Sequence, residues 1–368
     1  MKKYYLILCC ALSIGSSSFG QTPGNINLNP DFFPIAVWCQ NPMNAEAYKA
    51  IGINMFLALD GESEEKFNLL RKAGMKLIVD QNSFGLKHLN DSLIYAWMQM
   101  DEPDNSQAVG KGYGPPVKPD TIISRYYKMK AKDPSRPIYL GLGKGVADPD
   151  WVGRGVDCHK TDMYPKYLKG GDIVSYDIYP INSGYKLTYV PKGIDSLRVW
   201  SENKKPVWCT IEATNYNNTH MPTISEIKSE VWMALIHGAK GFDYFCHQFK
   251  PKFIEAYPLT DPVIKEGLTS INHQITALAR VLNSTTTKDY ATVNPTNPAV
   301  PIDIMTKSIG NDKYIFAVGM KEGSTSATFS VKSGKNVDVL GENRTIKIKK
   351  GKFSDDFVSY GVHLYQIK

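Results

Sequence analysis

The stretch IYAWMQMDEP, at residues 94–103, runs from an apolar segment directly into two carboxylates and a proline. A second stretch, VWCTIEA at residues 207–213, has the same form with a single glutamate. Each begins as a short apolar run of the kind that forms a buried strand. Each ends on a carboxylate, which is costly to desolvate unless a partner or a purpose holds it there. The two stretches therefore predict buried strands with reactive groups at their ends.

Similar apolar runs alternate with longer amphipathic segments from about residue 33 to residue 282, which is typical of a parallel sheet with crossover helices. Eight runs are candidate strands, at residues 33–39, 54–59, 76–81, 94–100, 137–142, 173–179, 207–211 and 241–246. Candidate helices lie at residues 44–50, 63–73, 119–132, 194–202, 225–237 and 261–282. Eight repeats over roughly 250 residues predict a (β/α)8 TIM barrel. A doubly wound open sheet is the alternative, although no glycine-rich phosphate loop follows the first run.

The pattern changes after this region. Residues 283–301 are rich in Ser, Thr, Asn and Pro, which is typical of a linker. Short β-rich runs separated by Gly, Asn and Asp then fill residues 302–368. They predict a small C-terminal antiparallel β-sandwich domain. The predicted fold class is therefore α/β, with a TIM barrel followed by this β-sandwich.

The N-terminus has the features of a secretory signal peptide. Lys2 and Lys3 precede an apolar run at residues 4–14, and small residues then lead to Gln21. We expect cleavage after residue 20 and export to the periplasm or the extracellular space. The predicted organisation is a signal peptide at 1–20, a catalytic barrel at 21–282, a linker at 283–301 and a β-sandwich at 302–368.

Composition disfavours several other classes of protein. The formal net charge falls from +7 to +5 when Lys2 and Lys3 are removed, and no nucleic-acid-binding motif accompanies the basic residues, so we expect no nucleic-acid partner. After residue 20 no apolar run is long enough to span a membrane. Four cysteines remain after the signal peptide, and we expect them to be buried thiols: Cys39, Cys158, Cys209 and Cys246. Their spacing matches no zinc site, and we expect no metal or cofactor.

In a barrel of this kind the active site lies at the carboxyl ends of the strands. Glu102 follows the fourth candidate strand, and Glu212 ends the seventh. These strands lie on opposite sides of the barrel mouth, so two long side chains can converge over its centre. Hydrolysis of a glycoside needs one protonated and one ionised carboxyl group, about 5 to 5.5 Å apart in a retaining mechanism. Glu102 and Glu212 are therefore the candidate catalytic residues.

An acidic pair at the end of strand four and a lone glutamate at the end of strand seven resemble the clan of retaining (β/α)8 glycoside hydrolases. That clan includes β-galactosidases, endoglucanases and mannanases, and the resemblance covers residues 33–282. It implies that Glu102 is the acid/base and Glu212 the nucleophile of a double displacement on a carbohydrate. The clan commonly has asparagine where this chain has Asp101. An ionised aspartate only accepts hydrogen bonds, so we expect an altered sugar contact and a raised pKa at Glu102.

Other candidate substrate-binding residues also follow strands. Related enzymes often place a tyrosine after strand six to hydrogen-bond the nucleophile, and Tyr179 stands there. Asp177 lies on the same face by strand alternation and is expected to bind a sugar hydroxyl. After strand eight, where the clan often has a tryptophan, His247 or Phe249 would have to substitute.

Flat aromatic side chains pack against sugar rings, and several lie at or just beyond the candidate strand ends. Trp38 and Tyr216 are the candidates we assign to substrate binding. Tyr185 also lies just beyond a strand end, and Tyr113 and Trp151 lie in two long loops, at residues 104–118 and 143–169, that we expect to build a cleft.

Alternative interpretations remain open from the sequence. Glu102 could be a helix N-terminal carboxylate beside Pro103, and Glu212 could be one member of a buried ion pair. The same carboxylates at a wider separation would predict an inverting or non-glycosidic hydrolase. A barrel that binds glycans without cleaving them is the alternative function.

Overall fold

The fold is a closed parallel barrel followed by two antiparallel sheets. The computed structural model describes residues 29–151, 161–216 and 220–368. Eight parallel strands form the barrel: β1 Ile35–Trp38, β2 Met55–Leu57, β3 Lys76–Asp80, β4 Ile94–Met98, β5 Ile138–Leu142, β6 Ile173–Tyr176, β7 Cys209–Glu212 and β8 Phe242–Phe245. They pair in one sheet in the order β6-β5-β4-β3-β2-β1-β8-β7. Parallel bridges between Val174 and Val207 and between Asp177 and Thr210 join β6 to β7 and close the sheet, which confirms the predicted TIM barrel.

Some predictions lie outside the described residues. These are the signal peptide at 1–20 and the expected buried thiol of Cys158. Within the described ranges, no helix is both long enough and apolar enough to span a membrane. Cys209 and Cys246 are buried free thiols, while Cys39 is a free thiol that is half-buried.

The helices cover the outside of the barrel. They are α1 Ala45–Ala50, α2 Glu64–Lys72, α3 Pro119–Lys132, α4 Tyr164–Tyr167, α5 Pro180–Ser183, α6 Tyr189–Trp200, α7 Ile224–Ile236, α8 Tyr257–Thr260, α9 Pro262–Ala277 and α10 Ala279–Asn283. Two crossovers differ from the predicted strand-then-helix repeat. Only a 3-10 turn, Gly85–His88, lies between β3 and β4, and the described part of the β5 to β6 crossover has only the short helices near α4. Helix α6 begins before the predicted residue 194, because Pro191 is tolerated in a first turn.

The barrel interior is packed with side chains below the mouth. Strand residues alternate between an inner cluster and an outer cluster that packs against the helices. Trp208 and Tyr139 fill the inside, with ring centroids 5.7 Å apart. Asp243 is also buried inside, and Thr210 donates a hydrogen bond to it at 3.2 Å. Burial raises the pKa of Asp243 to about 8, so this carboxyl is mostly neutral at pH 7.

The C-terminal part is the predicted antiparallel β-sandwich. The strands are β9 Ala291–Pro295, β10 Ile302–Ile309, β11 Asp312–Gly319, β12 Thr325–Val331, β13 Asn336–Val339, β14 Arg344–Lys347, β15 Lys352–Phe357 and β16 Val362–Ile367. They form two sheets with the orders β9-β12-β15 and β10-β11-β16-β13-β14. Phe329 and Phe353 are cross-strand partners in the first sheet, where their rings stack at 4.7 Å, and Tyr365 of the second sheet meets both rings edge-on.

Residues 283–301 differ from their prediction as a linker, because they contain strand β9. This strand pairs only with β12 and lies at the edge of its sheet. An edge strand tolerates a proline and partly exposed polar residues, so its composition resembles that of a loop.

Helix α7 lies between the barrel and the β-sandwich. It begins at a capping box in which Thr223 and Glu226 satisfy each other's backbone N–H groups. The ring of Trp232 packs 5.2 Å from that of Phe316 in β11, and the Ser229 hydroxyl donates to the Tyr360 carbonyl at 2.7 Å. Because α7 is buried on both sides, it is apolar around most of its circumference.

A histidine at the end of α7 joins the two parts electrostatically. His237 Nδ1 lies 2.8 Å from the carboxylate of Asp195 on α6, and its Nε2 lies 3.1 Å from that of Asp303 in β10. Burial lowers the pKa of His237, but the hydrogen bonds to the two aspartates outweigh burial and raise the pKa to about 9. The imidazolium is therefore the form that links barrel and sandwich at neutral pH.

This linkage predicts a pH-dependent loss of stability in Asp303→Asn. The folded-state pKa of His237 exceeds its usual value near 6.5, so the stabilisation is complete below that pH and is lost as pH rises through about 9. We expect Asp303→Asn to lower the free energy of unfolding by about 1 kcal/mol at pH 6 to 7 and by much less at pH 10. Thermal unfolding across this pH range measures the effect, with Asp312→Asn as the exposed control. An equal loss at pH 6 and pH 10 would contradict the assignment.

Candidate active site

A cavity at the carboxyl ends of the strands is lined by carboxyl groups and aromatic rings. Asp101 and Glu102 enter it after β4, and Asp177 enters after β6. Trp38 at the end of β1 lines this cavity and also two others, so the three cavities adjoin at this side chain and together make up the cleft at the barrel mouth. The other residues that line the central cavity are Tyr139, Gly141, Leu142, Ser175, Tyr176, Tyr179, Thr210 and Phe245.

Glu102 is held in an unusual backbone conformation. Its φ is +38°, in the left-handed region that residues with a side chain seldom adopt. The backbone N–H of Glu102 donates to the Gly141 carbonyl at 3.2 Å, and Asn105 Nδ2 donates to Glu102 Oε2 at 3.0 Å. A Cβ atom on Gly143 would lie 3.1 Å from Glu102 Oε1, so the glycine gives the carboxylate room. Such strain persists where surrounding contacts impose it, and it clusters at functional sites.

The carboxyl group of Asp177 lies against that of Glu102. Burial raises the pKa of Asp177 well above its usual range, and the charge of Glu102 and the hydrogen bond between the two carboxyls raise it further. The Tyr179 hydroxyl stabilises the ionised form only partly. Two carboxylates in contact cannot both ionise easily, so the pair holds a proton at neutral pH, with Asp177 as its main carrier.

Asp101 and Asp104 complete an acidic cluster. Asp104 is buried, and its carboxylate accepts hydrogen bonds from the Gly143 N–H at 2.9 Å and from the Tyr164 hydroxyl at 3.0 Å. Burial and the charge of Glu102 raise its pKa to about 7. Asp101 is open to solvent within the cleft, yet the walls crowd its carboxyl group. Desolvation and the charges of Glu102 and Asp104 raise the pKa of Asp101 to about 7 as well.

Lys144 provides a positive charge near this cluster. Its Nζ lies 3.8 Å from the centre of the Trp151 ring and donates to the Tyr185 hydroxyl at 3.2 Å. Burial lowers the pKa of Lys144, and the charges of Asp148, Asp177 and Glu102 oppose that shift. Two loop aromatics that the sequence associates with the cleft, Trp151 and Tyr185, therefore hold a cation within range of the acidic residues. Among the described residues, no group of three or more His, Cys, Asp or Glu side chains is arranged to hold a metal ion.

Glu212 lies outside the central cavity, so it does not meet Glu102 there as the sequence predicts. Its side chain is fully buried. Glu212 Oε1 accepts from the Ile181 N–H at 2.5 Å, and Oε2 accepts from the N–H of Asn182 at 2.9 Å and from its Nδ2 at 2.6 Å. The carboxylate thus binds the start of α5, the helix that follows Asp177 and Tyr179.

The partner of Glu212 on its other side is Glu230 of α7. Burial raises the pKa of Glu230 well above its usual range, and the charge of Glu212 raises it further. Burial also raises the pKa of Glu212, but the hydrogen bonds from Asn182 and Ile181 oppose this shift. Glu230 is therefore the protonated member and donates to Glu212. The structure agrees better with the alternative prediction, that Glu212 belongs to a buried pair. Its partner, however, is the neutral acid Glu230 rather than a lysine or arginine.

The other predicted binding residues divide between two cavities. Tyr179 and Phe245 line the central one, with ring centroids 5.2 Å apart, and Tyr216 packs edge-on against Tyr179. His247 lines the neighbouring cavity instead, where its ring is stacked with that of Phe249, and Gln40 Nε2 lies 3.2 Å from His247 Nε2.

The sequence analysis missed several residues that shape the site. Asp104 lies two residues past Glu102, and its position in the motif Asp-Glu-Pro-Asp was the available signal. Phe245 was recognisable as an inward position of β8 by alternation with Asp243. Asn182 and Glu230 carried no such signal, because only the packing of α5 and α7 brings them to Glu212.

Comparisons with known proteins show the fold. No protein-family model matches this sequence, and no curated protein matches it. Among solved structures, AmyP in complex with maltose is 8% identical and aligns over 92% of this chain and 97% of that chain, with a TM-score of 0.54. A GH30 endoxylanase from Clostridium papyrosolvens is 12% identical over 91% and 96%, with a TM-score of 0.51. A putative α-galactosidase/melibiase from Bacteroides fragilis is 10% identical over 92% and 79%, with a TM-score of 0.52. The chain therefore shares its fold, across barrel and β-sandwich, with glycoside hydrolases.

Proposed function

We propose that the protein is an exported glycoside hydrolase that cleaves O-glycosidic bonds of an oligosaccharide or polysaccharide in the cleft at the barrel mouth. The observation that carries the proposal is the Glu102–Asp177 pair, two carboxyl groups in contact on the wall of this cleft. The fold supports it, because solved structures with the same fold include a maltose complex, an endoxylanase and a putative α-galactosidase. Export follows from the signal peptide that the N-terminal sequence predicts.

The pair supplies the acid. Cleavage requires a proton on the leaving oxygen, and the proton that Glu102 and Asp177 share lies at the cavity surface. Glu102 presents the proton to the sugar, because it is only half-buried and its backbone is fixed by Gly141. Asp177, the main carrier of the shared proton, passes it to Glu102 as Glu102 protonates the leaving oxygen.

The second carboxyl is Asp101, which lines the same cavity and is open to solvent. We assign it the role of nucleophile in place of Glu212, which the clan resemblance implies, and the mechanism is then a double displacement with retention. The nucleophile assigned from sequence, Glu212, would have to leave the hydrogen bonds with Ile181, Asn182 and Glu230 before it could reach a sugar. Each of these buried contacts is costly to break without a replacement.

A glycan-binding barrel without catalysis is the second candidate function. It is favoured by one observation, the withdrawal of Glu212 from the cleft into a buried carboxyl pair. In that case the acidic cluster and Trp38 would bind sugar hydroxyls, and no bond would be cleaved.

Substitution of the three cavity carboxyls separates these functions. We expect Glu102→Gln, Asp177→Asn and Asp101→Asn each to lower kcat by about a hundredfold to ten-thousandfold, since each removes a proton donor, its partner or the nucleophile. Release of reducing sugar from a panel of polysaccharides and aryl glycosides measures the loss, and thermal unfolding checks the fold. If wild type and variants bind one glycan equally and cleave nothing, the binding function replaces the enzyme.

Azide rescue distinguishes the two candidate nucleophiles. Asp101→Gly should regain activity on an aryl glycoside with added azide and give a glycosyl azide of inverted anomeric configuration, because the small anion occupies the vacated position. Glu212→Ala should show no rescue. Glu212→Gln should instead lower the free energy of unfolding by about 1–3 kcal/mol, since an amide cannot accept all the hydrogen bonds that meet there. Azide rescue of Glu212→Ala alone would restore the assignment made from sequence.

The pH profile tests the role of Asp101. Its pKa is raised to about 7, so its ionised fraction increases only as pH rises through that value. We expect kcat/KM to decrease as pH is lowered through about 7, because Asp101 becomes protonated. We expect it to decrease again at alkaline pH, because the proton shared by Glu102 and Asp177 is lost. An aryl glycoside with a nitrophenyl leaving group should keep the acidic limb and lose most of the alkaline one, because that leaving group needs little protonation. An acidic limb near pH 4 would exclude Asp101 as the ionised group.

A further inference from the structure

Helix α3 presents a row of cations to the cleft. Arg125, Lys128 and Lys132 are exposed and stand three and four residues apart, so they share one face of the helix. We call these three residues the basic edge. All three line a cavity of about 670 Å³, a volume that falls in the range of small-ligand sites. The same cavity is lined by Asp101 and Trp38, which also line the central cavity.

The basic edge is largely unpaired within the protein. Lys130, on another face of α3, donates to the Pro134 and Arg136 carbonyls and lies 3.4 Å from Asp172. By contrast, Lys128 and Lys132 make no hydrogen bond or ion pair with any residue in the described ranges, and the one hydrogen-bond contact of Arg125 is Met100 Sδ at 3.4 Å. Lys132 lies in the last turn, where a cation stabilises the helix dipole.

The dipole does not account for Arg125 and Lys128, which lie before the last turn of α3. Asp80 faces Arg125 across the cavity and is also exposed, and the charge of Arg125 lowers its pKa against the larger effect of burial. With Asp101 as the other acidic group, the lining carries three cations and two carboxyls. Because the Asp101 pKa is about 7, that carboxyl is only partly ionised at neutral pH. Glu62 adds a third carboxylate beside this lining, because Asn82 Nδ2 donates to it at 2.8 Å and its charge acts on Asp80. The three cations of α3 nevertheless form no ion pair within the described ranges.

The cavity wall also has polar and aromatic side chains. Gln81 and Asn82 line it, and so does Trp38, whose indole ring is of the kind that packs against sugar rings. The cavity thus combines cations for an anion with an aromatic ring for a sugar face.

We infer that the basic edge binds an anionic sugar unit, carboxylated or sulfated, next to the bond that is cleaved. The inference rests on the proposed function only for the position of this sugar unit beside the cleaved bond. That position follows because Asp101 and Trp38 line both this cavity and the central cavity that holds the Glu102–Asp177 pair. The cations would pair with the anion, while the Trp38 ring would pack against the sugar ring. The substrate class is accordingly an acidic oligosaccharide or polysaccharide rather than a neutral one.

Calorimetric binding tests this without turnover. Glu102→Gln protein is titrated with a tetragalacturonate, which is carboxylated, with a carrageenan tetrasaccharide, which is sulfated and lacks carboxylate, and with neutral galactotetraose. We expect one of the anionic probes to bind at least about tenfold more tightly than the neutral one, and its identity names the anion. Raising the ionic strength from about 0.01 M to about 1 M shortens the screening length from about 30 Å to about 3 Å and should remove that preference.

Variants tie the preference to α3. Arg125→Ala, Lys128→Ala and Lys132→Ala combined should weaken binding of the anionic probe about tenfold and leave the neutral probe unchanged. The charge-keeping pair Arg125→Lys and Lys128→Arg should retain the binding. Lys265→Ala, an exposed lysine of α9, is the matched control. Equal binding of neutral and anionic probes, or no effect of the triple variant, overturns the inference.

The two proposals fail separately. Tight binding of an anionic probe that wild-type protein never cleaves would leave the inference intact and reject the glycosidase. Cleavage of neutral glycans at a rate that neither salt nor the triple variant changes would leave the glycosidase intact and reject the inference.

Discussion

Repulsion between crowded carboxyl groups is the constraint on which the site depends. Asp101, Glu102, Asp104 and Asp177 lie within range of each other's charge at one end of the barrel. In bulk water such repulsion is weak, but among the walls of a cleft it is several times stronger. The four carboxyl groups can lie this close together in the folded protein only if some of them are protonated and others accept hydrogen bonds. Asp177 is the protonated one, while Asp104 accepts hydrogen bonds from the Gly143 N–H and the Tyr164 hydroxyl.

The backbone around β4 and β5 makes this crowding sterically feasible. Glu102 adopts a positive φ, and two positions opposite it in β5 and the following turn are glycines, Gly141 and Gly143. A side chain at Gly143 would contact the Glu102 carboxylate, and one at Gly141 would lie 3.6 Å from Asp101 Oδ1. The absence of a Cβ atom at Gly143 therefore leaves room for the Glu102 carboxylate, while a Cβ atom at Gly141 would make only an ordinary contact with Asp101. The bend at Glu102 turns its side chain towards Asp177 rather than along the strand.

Periodicity predicted the barrel well, because each strand of a closed parallel sheet is a short apolar run with its own boundary signals. It predicted the edge strand β9 poorly, since an edge strand keeps polar residues and a proline. For the site, proximity to a strand end identified Glu102, Asp101, Asp177 and Tyr179 correctly as cavity residues. The same rule failed for Glu212. A strand end fixes where a Cα lies, but the direction of a long side chain depends on partners from other elements, and here these are α5 and α7.

Helix α7 connects features that are distant in sequence. One side of it holds Trp232 against Phe316 of the β-sandwich, and Glu230 on the same helix is bonded to Glu212, which in turn binds Asn182 beside the cleft. From residue 229 to residue 236 every residue of α7 is buried, so this part of the helix has no solvent-facing surface on which substitutions are nearly neutral. Its sequence must satisfy two hydrophobic cores and a buried proton at once. A substitution in this part of α7 therefore acts on the barrel, the β-sandwich and the buried carboxyl pair together.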